Sequence, residues 1–160
     1  MLPSVVVLGL AALAAVYLAG SRRSPVDKAA ERLEASRSLA LAVAIQTVHF
    51  IEEAATGFHE RLGAFFGLPG LPFDGFVAFN LAWLGIWIAS IPGLRSARPV
   101  AFFAAWFLAI AGMVNGVAHP LLALANGSYF PGLVSSPFIG IASLWLWSRL
   151  RMATQAQGRD

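Results

Sequence analysis

The sequence contains no cysteine among its 160 residues. This absence excludes disulfide bonds, thiolate nucleophiles and thiolate ligands, so a metal ion bound by this chain must take nitrogen and oxygen ligands. Charged residues are also scarce, at 12% of the chain, whereas hydrophobic residues make up 58% and the mean hydropathy is +0.72. These values lie far from those of soluble domains and predict a multi-pass membrane protein.

Five stretches approach the roughly 20 apolar residues that a membrane-spanning helix needs. They are residues 2–20, 39 to about 57, 73–91, 100 to about 125, and 132–147. The first stretch has no basic residue before it and several arginines after it, so we interpret residues 1–20 as a retained transmembrane anchor and not as a signal peptide. The sequence therefore predicts an all-α, multi-pass transmembrane helical bundle with about five spans.

The basic residues predict the orientation of these spans. Of the 11 Lys and Arg residues, all but Arg61 lie in the segment 21–38, in the loop after span three or in the tail 149–160. With five spans and the N-terminus outside, these three segments all lie inside, as the positive-inside rule requires. We therefore expect a cell-membrane protein with a cytoplasmic C-terminus, with the lipid bilayer as its partner. Because topology explains the arginines, we do not expect nucleic-acid binding.

Residues 21–38 form the basic juxtamembrane segment, and we predict a short surface helix within it. Ser24 suits a helix cap and Pro25 suits the first turn. Lys28 with Glu31, and Glu34 with Arg37, have the spacing of surface ion pairs.

Span two carries ionisable groups in the stretch TVHFIEEAATGFHERL, residues 47–62. His49 lies about 15 Å from the inner end of the span, near the middle of a roughly 30 Å hydrocarbon core. Groups at that depth usually face the bundle interior or a wet cavity, so we expect His49, Glu52 and Glu53 to be functional. His59 and Glu60 could instead be ordinary interfacial residues. On a helix, seven polar side chains share an arc of roughly 140°: Gln46, His49, Glu52, Glu53, Thr56, His59 and Glu60.

Span four carries a second polar pair, Asn115 and His119, one turn apart on one face. They lie about 22 Å and about 28 Å from the inner end, which is the outer half that also holds the two glutamates. Gly112 and Gly116 allow another helix to approach closely, and Pro120 can kink or end the helix. A lone Asn or His often only joins helices, but the matching depth favours a shared site.

The loop after span four, NGSYFPG at residues 126–132, contains strong turn dipeptides. Tyr129 could reach over the polar site as a hydrogen-bonding lid, or it could be an interfacial aromatic residue. Ser135 and Ser136 could supply a hydroxyl group. Asp74 and Asn80 are further candidates, although Asp74 suits a turn or a helix cap.

The ordered set His49-x-x-Glu52-Glu53, Asn115-x-x-x-His119 and Tyr129-x-Pro131-Gly132 resembles the HXXEE domain family of small membrane proteins. The resemblance covers roughly residues 40–145, so residues 39–148 would be an HXXEE-like four-helix membrane domain. The family's last motif tends to continue to a threonine, where this chain has Ser135. The resemblance implies a shared intramembrane polar site, with metal binding or enzymatic activity as possibilities, and names no reaction.

These residues lead to three hypotheses. In the first, His49, Glu53 and His119 bind zinc or iron in an intramembrane hydrolase that acts on a lipid-like substrate. The other glutamate, Glu52, would be a general base, with Asn115 or Tyr129 stabilising an oxyanion. The assignment of ligand and base between Glu52 and Glu53 stays open. The second hypothesis is a proton-linked or cation-binding carrier, although we find no internal repeat, and the third is a structural membrane subunit.

Overall fold

The computed structural model describes residues 2–156, which form six α-helices and one two-stranded sheet. The helices are α1 (Leu2–Ser21), α2 (Ala29–Thr56), α3 (Phe58–Phe65), α4 (Phe73–Arg95), α5 (Pro99–Asn126) and α6 (Ser136–Ala153). The strands are β1 (Arg22–Arg23) and β2 (Gln155–Ala156), which pair antiparallel. Residues 157–160 of the predicted tail, including Arg159, lie outside the described residues.

Four helical stretches in the described part of the chain are long and apolar enough to cross a membrane. They are Ser4–Ser21, Val26–Thr56, Phe73–Arg95 and Pro99–Asn126. The prediction of an all-α bundle built from apolar helices is therefore confirmed. The predicted fifth span is not among these helices, because α6 begins only at Ser136 and includes Arg149 and Arg151 within its 18 residues.

The predicted juxtamembrane helix and span two form one continuous element. A 3-10 turn, Val26–Lys28, leads directly into the 28-residue helix α2. Ser24 is not a cap, since its hydroxyl donates to the carbonyl of Ala153 at the other end of the chain. The two predicted ion pairs are confirmed.

Helix α5 is the central element of the bundle and packs against α1, α4 and α6. Its side chains Trp106 and Leu108 are fully buried. The predicted close approach at glycine is confirmed, because a Cβ atom on Gly116 would lie 2.8 Å from the Cα atom of Gly140 in α6. Pro120 does not end the helix, which continues to Asn126.

The three basic segments meet at one end of the bundle. Arg22 donates to Thr154 and to the carbonyl of Arg151, while Arg32 donates to the carbonyl of Arg95. This contact agrees with the expectation that the three segments share one side of the membrane. Which side that is stays a prediction.

Candidate metal centre

The opposite end of the bundle brings the polar residues of α2 and α5 together. His49 and Glu53 lie one turn apart on α2, and His119 projects towards them from α5. The Oε1 atom of Glu53 lies 3.5 Å from Nε2 of His49 and 3.4 Å from Nε2 of His119. All three side chains are buried, with exposed fractions of 6%, 0% and 2% for Glu53, His49 and His119. These residues form a buried group that could hold a metal ion.

Hydrogen bonds on the far side of each imidazole fix its tautomer. Nδ1 of His119 lies 2.6 Å from the carbonyl oxygen of Pro131, which can only accept, so this nitrogen carries the hydrogen. Nδ1 of His49 lies 2.8 Å from Oγ of Ser135. Because the single hydroxyl hydrogen of Ser135 goes to the Glu52 carboxylate, His49 must donate to Ser135. As neutral imidazoles, both histidines therefore present an unprotonated Nε2 towards Glu53.

Glu52 is held by the segment that leads into α6. Its carboxylate accepts hydrogen bonds from the hydroxyl of Tyr129 at 2.7 Å and from the backbone amides of Val134 and Ser135 at 3.0 Å and 2.8 Å, as well as from Oγ of Ser135. Partial burial raises the pKa of Tyr129 above its usual range, and donation to Glu52 acts in the same direction. The carboxylate, the serine hydroxyl and the imidazole of His49 form a chain of the kind that orients metal-binding histidines.

Three acceptor atoms, Nε2 of His49, Nε2 of His119 and Oε1 of Glu53, consequently face one another with no hydrogen-bond donor between them. Among the described residues, Nε2 of His49 is buried and has no hydrogen-bond partner. A proton on Glu53 could satisfy only one of the two Nε2 atoms, whereas a divalent cation would satisfy all three acceptors at once. The two distances to Glu53, 3.4 and 3.5 Å, match the edge of about 3.4 Å expected for tetrahedral ligands with bonds of roughly 2.0–2.1 Å, and all three ligand atoms lie within 4.8 Å of one another.

Gly132 lets the backbone of the loop approach both imidazoles. A Cβ atom at this position would lie 2.5 Å from Cε1 and Nδ1 of His119 and 2.9 Å from Cε1 of His49. Gly132 also has φ +84°, a conformation that side chains disfavour. The Pro131-Gly132 dipeptide thus supplies the acceptor for one imidazole and the space for both.

An apolar cavity of about 500 Å³ leads to the cluster from the other side. Glu53 and His119 lie in its wall, together with the side chain of Asn115. Most of the remaining wall is aromatic or aliphatic, and Phe58 packs against the imidazole of His119 with ring centroids 5.3 Å apart. A molecule in this cavity could therefore reach the cluster directly.

The structure separates the other predicted site residues into two groups. Asn115 lines the cavity, and so does Asn80, whose amide donates to the carbonyl of Phe76. Glu52 and Tyr129 contact each other behind His49 and are not among the described residues that line the cavity.

The more distal candidates lie away from the three-residue cluster. His59 stacks on Phe76 and contacts Phe73, and it is not one of the three clustered residues. Asp74 is exposed in the first turn of α4, where Pro72 and not Asp74 occupies the capping position.

Searches against family models, curated proteins and solved structures found no match for this chain. The resemblance to the HXXEE domain family is thus neither supported nor opposed by these comparisons.

Proposed function

We propose that His49, Glu53 and His119 bind a divalent metal ion, zinc or iron, and that the protein is a metal-dependent hydrolase in the cell membrane. The observation that carries this proposal is the convergence of two unprotonated imidazole nitrogens and one carboxylate oxygen in a buried site. Their nitrogen and oxygen chemistry suits both metals. Three protein ligands leave a coordination position free, as in catalytic zinc sites.

A bound divalent metal supplies positive charge that polarises a carbonyl group and acidifies water. Glu53 is the only carboxylate among the described residues of the cavity wall, so it is the group that can exchange a proton with water there. Asn115 lies one turn before His119 in the same wall, and its amide can donate to a developing oxyanion.

The role of Glu52 follows from its partners. Four donors occupy its two oxygens, and Ser135 connects it to the imidazole of His49. We therefore assign Glu52 to positioning His49, and Tyr129 to holding Glu52. The sequence leaves ligand and base open between the two glutamates, and we assign both to Glu53, with Oε1, which faces both imidazoles, as the ligand and Oε2 as the oxygen that accepts a proton from water.

The apolar wall favours a lipid-like substrate with an ester or amide bond. In the reaction, the oxygen of water forms a bond to the carbonyl carbon and the bond to the leaving oxygen or nitrogen breaks. One proton of the water passes to the leaving group, and the products are an acid and an alcohol or amine. The three motifs that carry the resemblance to the HXXEE domain family contact one another in the structure. This contact supports the proposal that the chain and that family share this site.

The test is turnover by the protein reconstituted in lipid vesicles and supplied with long-chain esters and amides. We expect hydrolysis that a chelator abolishes and that added zinc or iron restores. Glu53→Gln should be inactive, while Glu60→Gln, whose side chain is 79% exposed, should retain activity. Turnover that is unaffected by chelation, or equal loss in both variants, would contradict the proposal.

A further inference from the structure

The cavity next to the cluster has a long apolar wall with a few polar groups part-way along it. Its α5 wall extends from Phe107 to Ala125, a distance of about 27 Å at about 1.5 Å per residue. Asn115 and His119 lie part-way along this wall, about 12 Å and about 18 Å from Phe107, with Glu53 in the same cavity. Apolar side chains continue on both sides, with Trp83 and Trp87 near Phe107 and Leu121 and Leu122 beyond His119. This shape fits a linear, mostly apolar ligand whose polar group lies beside these residues.

The cavity lies between α1 and α4, both of which pack on α5. Val7 of α1 and Phe79 of α4 line it and are 40% and 47% exposed. Their exposure marks an opening on the apolar flank of the bundle. A ligand can therefore enter from the hydrocarbon region of the bilayer without passing through water.

The charge of the wall restricts the polar end of the ligand. None of the described residues that line the cavity is a lysine or an arginine. A doubly charged phosphate group would find no basic side chain there, and together with Glu53 it would exceed the charge of one divalent ion at the cluster, so net negative charge would be buried at a cost. The amide side chains of Asn80 and Asn115 instead offer hydrogen bonds to an uncharged group.

We propose that this cavity binds an uncharged, single-chain lipid, with its ester or amide group beside Glu53 and His119 and its hydrocarbon chain between α1 and α4. The volume of about 500 Å³ is in the range for one small ligand. The assignment rests on the proposed function, because it takes the cluster as the reacting end, and it adds the chemical class of the substrate.

The experiment is photolabelling of the protein in lipid nanodiscs by hexadecanamide with a diazirine in its chain. Peptide mass spectrometry should place the label on cavity-lining residues of α4 and α5. Unlabelled hexadecanamide should displace the probe at a concentration about tenfold lower than hexadecyl phosphate, because a doubly charged phosphate beside Glu53 exceeds the charge of one divalent ion and leaves negative charge buried. Label spread evenly over the exposed apolar faces, or equal displacement by both competitors, would overturn the proposal.

A matched pair of substitutions tests the location. Val114 lines the cavity, whereas Val117 is 60% exposed on the same helix and is not among the lining residues. Val114→Trp should reduce labelling about tenfold by filling the cavity, and Val117→Trp should not. If Val114→Trp fails to fold, Leu122→Trp, at another lining position, replaces it. Equal labelling of the cavity-filling variant and Val117→Trp would overturn the location.

Metal content measured on the same samples separates the two proposals. Cavity labelling in a protein that binds no metal would support the lipid site and contradict the metal-dependent hydrolase. Bound metal without cavity labelling would contradict the lipid site and leave the metal centre supported.

Discussion

The imidazole rings of His49 and His119 lie edge to face, with centroids 4.8 Å apart and ring planes at 89°. Each ring is held on its outer side by a hydrogen bond from Nδ1, to Ser135 and Pro131 respectively. This arrangement turns both Nε2 atoms towards Glu53. The relative orientation of the rings therefore depends on residues from the loop before α6 as well as on α2 and α5.

Ser135→Ala should weaken metal binding. The change removes the hydroxyl that connects Glu52 to His49, and loss of such a partner typically costs about 10- to 100-fold in metal affinity. Ser135→Thr keeps the hydroxyl and should retain most of the affinity. Competition with a metal chelator measures both variants. An equal loss of metal affinity in Ser135→Ala and Ser135→Thr would show that side-chain size, and not the hydroxyl, matters at this position.

Gly132→Ala should disrupt the site and destabilise the protein. The added Cβ would clash with both imidazoles, and overpacking and left-handed backbone strain each cost about 1–3 kcal/mol. Gly127→Ala is the matched control, because Gly127 has φ +67° but no atom within 4 Å of its Cβ position. The midpoint temperature of thermal unfolding and the metal content should both fall more in Gly132→Ala than in Gly127→Ala. Equal effects would leave only backbone strain as the cause.

The fold class and most of the cluster can be predicted from the sequence. Apolar length predicts the four helices that are long and apolar enough to cross a membrane, together with a fifth span that is not among them, and the one-turn spacing of His49 and Glu53 places them on one helical face. Matching depth then relates His119 to them, and the structure brings the three together. These predictions succeed because helical periodicity and rise are nearly constant.

The roles behind the ligands could not be predicted from the sequence. The sequence indicates a hydroxyl at Ser135 or Ser136 and a turn at Pro131-Gly132, but no local rule says that a carbonyl or a missing Cβ will face an imidazole. The predicted start of the last apolar helix at residue 132 is wrong, because an apolar run from 132 to 147 does not reveal that its first residues form a loop around Glu52 and that α6 begins at Ser136. Such contacts depend on tertiary packing.

Glu53→Gln should remove bound metal and leave the protein folded. The amide matches the shape of the carboxyl, carries no charge and can donate hydrogen bonds to the unprotonated Nε2 atoms. In the absence of metal, the free energy of unfolding should therefore stay equal or rise by about 1 kcal/mol. Chemical unfolding in detergent and metal analysis test this. A strong loss of stability with unchanged metal content would favour a structural role.

Tyr129 should make the stability of the loop sensitive to high pH. Its pKa is raised in the folded protein, so its contribution is fully present below its ordinary pKa of about 10 and is lost as the pH rises through the folded value. The thermal stability of the protein should decline above about pH 10 more than that of Tyr129→Phe. Parallel declines in the two proteins would show that the hydrogen bond to Glu52 is not responsible.

The central claim is tested most directly by metal analysis of the protein purified in detergent without a histidine tag. Wild type should contain close to one zinc or iron ion per chain, and His49→Ala and His119→Ala should each remove it. His59→Ala is the natural control, because His59 is the one histidine of the chain that lies outside the cluster. This substitution should leave the metal in place. Wild-type protein that holds no metal after gentle purification and reloading, or a loss caused equally by His59→Ala, would contradict the account.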